Sequence, residues 1–487
     1  MTPATAATAN SPLEPPHEIV AAWFHEAVDL ALAHVASLPE QPAHGPAPTA
    51  ADFAALAEPI PEQGRDPRPL LAQLIRDWVP KSFTTAGPGY LAYIPGGGLP
   101  TAPLADLVAG LTNRFVGISA AAPLLVALEV QTLRWLLDEF RFPKSAQALF
   151  TSGGSTANLI ALAAARDKVA GEEGLARATL YLSDQAHHSL HKAAHVVGFR
   201  RALLRELPAD AHGRLEPAAA ARAIAADRAA GLLPTVLIAN AGTVHAGSVD
   251  PLPALADLAA RERLWFHVDG AYGGCFQLCD AGRARLAGIE RADSLTIDPH
   301  KGLFLPYGTG AVLLRDRADL RRPFAQESAY LPQAAAGGPL EDFTDASPEL
   351  SRDFRGLRVW LSLKTFGAAA FRAALAEKLA LAERACAAVA RIDGLELASG
   401  CDLSLFAFRV ARDGAEGDAL SRELLRRVNA RQRVYLSGTL LRGRFVLRLC
   451  VLSFRTHAER VDEAIAQLRE ETAALLREPS GGERGGA

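Results

Sequence analysis

Lys301 lies in the apolar stretch SLTIDPHKGLFLP, residues 294–306, directly after His300. Only seven of the 51 basic residues in this 487-residue chain are Lys, so an amine at this position is uncommon for the sequence. A buried lysine costs free energy unless it has a chemical task, and the task that a guanidinium cannot perform is to form an imine with an aldehyde. Because burial lowers the pKa of a lysine, we expect Lys301 to be a reactive amine.

Polar residues follow several other apolar runs, where each could take part in chemistry or serve only the fold. Asp269 ends WFHVD, 32 residues before Lys301. A carboxylate there could hold a protonated ring nitrogen, or it could form a turn before Gly. His187 follows YLSDQA and could stack on a flat ring, carry protons or lie on a solvated helix face. Thr243 and His245 lie in the turn that follows TVLIANAG.

The segment FTSGGSTANLIAL predicts a strand, a Gly turn and a helix that begins near Ser155. Free N–H groups and hydroxyls at a helix N-terminus suit an anion such as phosphate, although Ser155 could also be a simple N-cap. An anion site, an imine-forming Lys301, a carboxylate at Asp269 and an imidazole at His187 together fit pyridoxal 5'-phosphate. Each feature alone is a weak signal, and their occurrence in one segment carries the interpretation.

The elements that must position these residues alternate between strand and helix from residue 148 onward. Seven apolar runs, separated by helical stretches, predict a mainly parallel sheet that is buried on both faces. The carboxyl ends of parallel strands share one edge of a sheet, and sites form there. The seven runs are LFTSG, ATLYLSD, RALLREL, TVLIANAG, LWFHVDGA, SLTIDPH and GAVLLR.

Apolar spacing predicts helices over most of the remaining chain. The smaller C-terminal part reads as an α+β domain. Residues 326–352 lack periodicity over a length that is typical of functional loops, so we expect a mobile lid that closes over the site. The helices are predicted at 17–38, 69–79, 101–140, 354–392 and 457–477.

Composition argues against several classes of partner. The net charge of −3, with acids and bases interspersed, gives no reason to expect nucleic acid or an anionic membrane. We see no secretory signal, and no apolar run reaches the roughly 18–20 residues that span a bilayer, so we expect a cytoplasmic protein. Cys275 and Cys279 could be half of a metal site, but no second half follows, so we expect free thiols and no metal.

From about residue 20 to 475 the chain resembles the group II pyridoxal-phosphate decarboxylases, the family of aromatic-L-amino-acid and histidine decarboxylases. The most specific motifs are LEVQTLRWL, SGGSTANLIALAAAR, SDQAH, HVDGAYGG, ADSLTIDPHK and FRGLRVW. The resemblance implies an α/β fold of the type I aspartate-aminotransferase-like class, with a mainly parallel seven-stranded sheet and a smaller C-terminal α+β domain. It also implies a homodimer with sites at the subunit interface. The expected parts are a helical segment at 1–80 that wraps the partner, a large cofactor-binding domain at 81–375 and a small domain at 376–487.

The resemblance also implies a role for each candidate site residue. Lys301 carries the cofactor as an imine, Asp269 pairs with the pyridine nitrogen, and His187 stacks over the ring. With His300 these are the expected catalytic residues, and Tyr93 and Phe343 are expected near the substrate. The remaining cofactor contacts are Ala271 under the ring, Gly154, Ser155 and Ser294 at the phosphate, Thr243 near the ring, and Asp298 and His300 beside the lysine.

Three positions depart from the aromatic decarboxylases, which have Asn at the place of Asp298 and Trp at that of Gly302. Alignment without gaps back from Arg355 puts Phe343 where those enzymes have a lid tyrosine that delivers a proton, which Phe cannot do. In some plant relatives a Phe there marks aldehyde synthases. We therefore expect decarboxylation of an L-amino acid to an amine, with oxidative formation of an aldehyde as the alternative. Arg352 or Arg355 could neutralise a charge near the site or form a structural ion pair.

Other functions fit the sequence less well. Ser155, Asp269 and His300 follow the chain order of a serine hydrolase, but Ala157 replaces the closing Gly of the nucleophile elbow, and Lys301 would have no task. A non-catalytic protein of the same fold would need to lack a catalytic group, and only the lid tyrosine is in question. Another pyridoxal-phosphate reaction, such as transamination, also stays open.

Overall fold

The computed structural model describes residues 13–325 and 342–478. The strands are β1 (Gln147–Thr151), β2 (Ala178–Ser183), β3 (Leu204–Leu207), β4 (Leu233–Asn240), β5 (Trp265–Gly270), β6 (Ser294–Ile297), β7 (Gly310–Leu314), β8 (Leu395–Leu397), β9 (Leu405–Val410), β10 (Ser437–Leu441) and β11 (Arg444–Cys450). The helices are α1 (His17–Ser37), α2 (Ala50–Ala54), α3 (Pro67–Gln73), α4 (Thr101–Thr112), α5 (Pro123–Glu139), α6 (Gly154–Ala165), α7 (Gly171–Gly174), α8 (His188–Val196), α9 (Pro217–Ala229), α10 (Leu252–Glu262), α11 (Asp280–Arg285), α12 (Pro299–Gly302), α13 (Arg317–Arg321), α14 (Arg355–Val389), α15 (Gly414–Ala430) and α16 (Ala458–Arg477).

The first seven strands form one sheet in the order β1-β7-β6-β5-β4-β2-β3. The neighbouring strands β3, β2, β4, β5 and β6 pair in parallel, and β7 runs antiparallel to both β6 and β1. Every residue of β2 and β5 is buried, because helices cover both faces of the sheet. The predicted mainly parallel, seven-stranded sheet is confirmed.

A second sheet, in the order β10-β11-β9-β8, is wholly antiparallel and forms the smaller C-terminal part. Helix α14 joins the two parts and is kinked at Gly367, where φ is 74°. Leu375 and Leu379 pack into the core of the large sheet, whereas Leu381 packs into the core of the small one. Because the helix passes from one core to the other between Leu379 and Leu381, we propose that the domain boundary lies near residue 380. This is a few residues beyond the predicted division at 375.

Helix α1 presents apolar residues on the outside of the chain. Only three of its 21 residues carry a full charge, so by length and composition alone it could cross a membrane. It contains no uninterrupted apolar run of that length. None of its residues is buried within the chain, and Ile19, Val28 and Leu32 are exposed. A helix with these properties either meets a partner or lies at a membrane.

A buried ion pair fixes the chain that follows the undescribed residues 326–341. Arg352 Nη2 lies 2.6 Å from Glu129 Oε1 on α5, and both side chains are fully buried. The same guanidinium donates to the carbonyl of Phe150 and lies over the ring of Phe343 at 4.6 Å. Removing one partner of such a pair leaves an uncompensated buried charge.

We expect Glu129→Gln to lower the free energy of unfolding by about 3–5 kcal/mol, because Arg352 would stay charged without a carboxylate. The double variant Glu129→Gln/Arg352→Met should lose less than the sum of the single losses. Urea unfolding curves measure both. Glu470→Gln, which breaks an exposed pair with Arg431, is the matched control and should leave the curve nearly unchanged. Equal losses at the two glutamates would contradict a buried anchor at Arg352.

Candidate active site

Most of the predicted residues converge on one cavity of about 470 Å³ at the carboxyl ends of β4, β5 and β6. Asp269 lies at the end of β5, and Lys301 lies in α12, directly after β6. Parallel strands bring their carboxyl ends together, which explains why residues far apart in sequence meet here. The predicted residues that line the cavity are Tyr93, Gly154, Ser155, His187, Asp269, Ala271, Asp298, His300 and Lys301.

Lys301 is bonded to a carboxylate rather than free. Its Nζ lies 2.8 Å from Oδ2 of Asp298, which is itself buried. Burial alone would lower the pKa of Lys301, but the charge and hydrogen bond of Asp298, with a smaller effect of Asp269, outweigh it and leave that pKa above its usual value. The expectation of an amine with a lowered pKa is therefore wrong for the chain without a bound group, because Asp298 stabilises the ammonium form.

Asp269 is buried and held on both oxygens. Oδ2 accepts from Nδ2 of Asn158 at 3.0 Å, and Oδ1 accepts from the backbone N–H of Ala271 at 3.1 Å. Two donors compensate part of the cost of burying the carboxylate. The cavity therefore contains a fixed negative charge that suits a positively charged ring nitrogen.

Two imidazoles line the cavity, and Nδ1 of each is hydrogen-bonded to a backbone group. His187 caps the N-terminus of α8, where its Nδ1 accepts from the backbone N–H of Ser189 at 3.2 Å. His300 Nδ1 donates to the carbonyl of Thr309 at 2.8 Å, and its Nε2 lies 3.6 Å from Asp298 Oδ2. Burial lowers the pKa of both histidines, so both tend to be neutral.

The start of α6 forms a cradle that is open for an anion. The N–H groups of Thr156 and Ala157 bond to the carbonyl of Gly153, and those of Gly154 and Ser155 have no carbonyl to bond within the helix. A side chain at Gly154 would fill this space, because its Cβ would lie 3.0 Å from Cβ of Ala271 and 3.1 Å from Oδ2 of Asp298.

These groups fit pyridoxal phosphate in their chemistry as well as their placement. Lys301 offers the amine for an aldehyde, Asp269 the charge for a ring nitrogen, and the N-terminus of α6 the donors for a phosphate. The cavity volume lies within the range of small-molecule sites, roughly 300–1,000 Å³. The described residues contain no cluster that could hold a metal ion.

Of the predicted cofactor contacts, Ser294 does not reach the cavity and Thr243 only borders it. Ser294 begins β6, at the opposite end of the strand from Lys301, and is fully buried against Trp265 and His267. It therefore cannot be a phosphate ligand. Thr243 is buried in the turn after β4, where its hydroxyl accepts from Ser248 N at 3.1 Å, while its neighbours line the cavity.

Phe343, expected near the substrate, does not reach the cavity either. It lies in a short 3-10 helix at Phe343–Ala346, is 1% exposed, and packs in the core of the large sheet beneath Arg352. The ring is enclosed in that core and is not among the residues that line the cavity, so it does not face the site. Arg352 and Arg355 both form structural ion pairs, the latter with Glu349 at 2.7 Å. Residues 326–341 of the predicted lid lie outside the described residues.

The serine hydrolase alternative lacks its geometry. His300 uses Nδ1 for the carbonyl of Thr309, and its Nε2 faces Asp298. Asp269 bonds to Asn158 and Ala271, not to a histidine. Within the described residues no relay of the kind Ser-His-Asp connects Ser155 to either carboxylate.

The sequence did not single out several residues that shape the site. Asn158 and Ser189 line the cavity and bond to Asp269 and to His187, respectively. Asn158 stands four residues into α6 from Gly154, which places it on the same face as the cradle, and this spacing could have revealed it. Tyr307 also lines the cavity and packs edge-on to His300, with ring centroids 5.6 Å apart.

The fold and the site define a pyridoxal-phosphate enzyme of the α/β class. Residues 53–411 match the pyridoxal-dependent decarboxylase conserved domain, and the chain belongs to that family. It is a pyridoxal-phosphate-dependent carboxy-lyase, a lyase of amino-acid metabolism. The predicted family and cofactor are confirmed.

Relatives of known activity cover most of the chain. The aromatic-L-amino-acid decarboxylase of Bacillus atrophaeus is 36% identical over 450 residues, which are 91% of this chain and 94% of that protein. The phenylacetaldehyde synthase of Arabidopsis thaliana is 30% identical over 406 residues, 80% of this chain and 82% of that protein. The solved structure of Oryza sativa TDC with PLP and tryptamine has a TM-score of 0.90 and 29% identity, and covers 96% of this chain and 100% of that one.

The pair of Lys301 and Asp298 makes a pH-dependent prediction. Asp298→Asn removes the charge that stabilises the ammonium form, so the pKa of Lys301 should fall and the free amine should be available at lower pH. The rate at which cofactor-free protein captures pyridoxal phosphate, followed by absorbance across pH, should therefore rise at lower pH in the variant. Asp293→Asn, a partly buried carboxyl bonded to Phe266 N, is the control. An unshifted profile in Asp298→Asn would contradict the assignment.

Proposed function

We propose that the chain decarboxylates an L-amino acid with an aromatic side chain. The observation that carries this proposal is that Lys301 and Asp269 face one cavity beside the anion cradle of α6. Tyr93, Ile94 and Tyr307 also line the cavity, and such side chains suit a flat apolar ring. The Bacillus relative is named for aromatic amino acids, which supports the same substrate class.

Each side chain would have a separate task. When bound, pyridoxal phosphate supplies an aldehyde that reacts with amines and a ring that accepts the electron pair left as carbon dioxide departs. Lys301 would hold it covalently until the substrate amine displaces the lysine. Asp269 would hold the proton on the ring nitrogen, because the buried carboxylate favours the charged form. The N–H groups of Gly154 and Ser155 would bind the phosphate, and His187 would cover the ring.

A second product is supported by one relative. An aldehyde synthase consumes oxygen and water with the amino acid and releases aldehyde, carbon dioxide, ammonia and hydrogen peroxide. The Arabidopsis protein is named for such a product. In this chain, however, Phe343 packs in the core, so it does not by itself favour the oxidative outcome. We propose the amine as the main product.

We also propose a cytoplasmic homodimer that binds neither nucleic acid nor membrane. The apolar face of α1 is exposed in the single chain, and Leu104 and Leu111 on α4 are exposed as well. A second copy would cover such surfaces, as the resemblance to the family implies for residues 1–80. The net charge of −3, with acids and bases interspersed along the chain, gives no reason to expect an anionic membrane or nucleic acid as a partner.

The cofactor assignment is tested by reduction with borohydride. The purified protein loaded with pyridoxal phosphate should yield one labelled peptide, which contains Lys301. Lys301→Ala should lose the label, whereas Lys364→Ala, an exposed lysine, should keep it. The loaded wild type should release amine and carbon dioxide in equal amounts from an aromatic L-amino acid. Retention of the label in Lys301→Ala would overturn the assignment.

The product is tested at position 343. Because Phe343 is buried, Phe343→Tyr should leave the ratio of amine to aldehyde unchanged and should lower stability, since its hydroxyl enters a packed core. Amine, aldehyde and peroxide are measured with and without oxygen. A shift toward amine in the variant would show that residue 343 reaches the reacting carbon and would revive the oxidative alternative.

A further inference from the structure

A line of buried polar side chains runs behind the cavity. Trp265 Nε1 lies 2.7 Å from Ser294 Oγ, which lies 2.8 Å from His267 Nδ1. His267 Nε2 lies 3.0 Å from Oδ1 of Asn158, whose Nδ2 reaches Asp269 Oδ2 at 3.0 Å. Every member is buried, so none can turn to water for an alternative partner.

Each hydrogen in this line has one consistent position. The indole of Trp265 can only donate, so Ser294 Oγ accepts from it and is free to donate to His267 Nδ1. Burial lowers the pKa of His267 and favours the neutral ring. Because Nε2 faces the amide oxygen of Asn158, which can only accept, the proton of this ring is on Nε2. That Nε2–H then donates to Oδ1 of Asn158.

The reverse orientation of the Asn158 amide is excluded by its other neighbour. If the amide were flipped, Oδ1 would face the carboxylate of Asp269, and two acceptors would meet without a proton in a buried place. The charge of Asp269 therefore fixes the amide, and His267 supports the same orientation from the other side.

At Asn158 the line branches toward the second catalytic candidate. Nδ2 also lies 3.1 Å from Ser189 Oγ, so this hydroxyl accepts from Asn158. Ser189 Oγ lies 2.7 Å from His187 Nδ1, and the backbone N–H of Ser189 points at the same nitrogen at 3.2 Å. The backbone N–H can only donate, so Nδ1 carries no hydrogen, and the hydroxyl, which accepts from the amide, directs its own hydrogen to Nδ1.

We infer that Asn158 is a positioning residue which, through Ser189, fixes His187 as a neutral imidazole with its hydrogen on Nε2. In this form His187 offers an N–H donor to whatever occupies the cavity and is a poor source of protons for a reacting carbon. The tautomer follows from the hydrogen bonds alone, and only its bearing on catalysis rests on the proposed function.

The charged groups around His187 do not reverse this assignment. Asp269 on β5 and Asp298 before α12 favour the imidazolium, whereas Lys301 and the neighbouring His188 oppose it. Burial of the ring is the largest influence and leaves the pKa of His187 below its usual value. Both donors to Nδ1 act in the same direction, because they stabilise only the form with a lone pair there.

The experiment uses cofactor-free full-length protein with ¹⁵N-labelled histidine, and His187→Gln identifies the signals of His187. We expect one protonated and one unprotonated nitrogen near neutral pH, with the hydrogen on Nε2, and a titration midpoint below that of free histidine. Ser189→Ala removes one donor, so the midpoint should rise and the other tautomer should appear. Ser189→Thr restores the hydroxyl and should restore the wild-type signals.

Asn158→Asp tests the hub directly. The new carboxyl would share one proton with Asp269, because two buried carboxylates 3.0 Å apart cannot both ionise. Its oxygen would still accept from Ser189, so the hydroxyl would no longer donate to Nδ1, and the midpoint of His187 should rise as in Ser189→Ala. Ser421→Ala, which removes a buried hydroxyl that accepts from Val410 N in the small domain, is the control and should change nothing at His187. The inference is overturned if the wild type carries its hydrogen on Nδ1 or if Ser189→Ala leaves the titration unchanged. The wild-type spectrum decides the tautomer even if a variant fails to fold, and no part of the readout depends on activity.

Discussion

The buried carboxylate of Asp269 is the constraint on which the rest of the site depends. A charge at the end of a buried strand is costly unless donors and a counter-charge compensate it. Asn158 and the backbone of Ala271 supply the donors. A protonated pyridine ring would bring the counter-charge, so the carboxylate that costs free energy on burial would favour binding of that ring. Asn158 can serve Asp269 only because α6 packs across the sheet with its N-terminal turn over β5 and β6.

The position of α6 depends on a close approach between the backbone of Gly153, just before α6, and the backbone of Gly310 in β7. The antiparallel strand β7 carries Gly310, whose Cβ would lie 2.5 Å from Cα of Gly153. Any side chain at residue 310 would push the start of α6 away from the strand ends. The antiparallel strand in an otherwise parallel region therefore has a local use, since it brings the phosphate cradle within reach of Lys301 and Asp269. The ion pair of Lys301 with Asp298 adds a second local constraint, because the amine must give up this partner before it can react.

The sequence predicted the sheet and the residues at its carboxyl edge. Asp269, His187 and Lys301 each follow an apolar run, and a strand ending places its next polar residue at the edge whatever the details of packing. The same rule explains why the prediction for Ser294 was wrong. Ser294 begins β6 rather than follows it, so the four-residue strand separates it from the edge where the site lies. Phe343 failed because alignment gives a position along the chain, whereas burial depends on the packing of Arg352 and its partner Glu129.

Properties that depend on the distance between two side chains could not be predicted from the sequence. The raised pKa of Lys301 depends on the distance to Asp298, and the tautomer of His187 depends on three hydrogen bonds that link α6, α8 and β5. A sequence names such residues but not which atoms face each other. Helical spacing could nevertheless have singled out Asn158, since it lies one turn beyond Gly154 on the same face of α6.

The role of the Asp269 carboxylate is tested most directly by measuring single-turnover release of carbon dioxide from cofactor-loaded Asp269→Asn. The neutral amide can still accept and donate hydrogen bonds, and the cradle of α6 is untouched, so the variant should bind pyridoxal phosphate. Without the charge that holds the proton on the ring, release of carbon dioxide should slow by roughly a hundredfold or more. A correctly folded, fully loaded Asp269→Asn protein that releases carbon dioxide at nearly the wild-type rate would contradict the central role of this carboxylate.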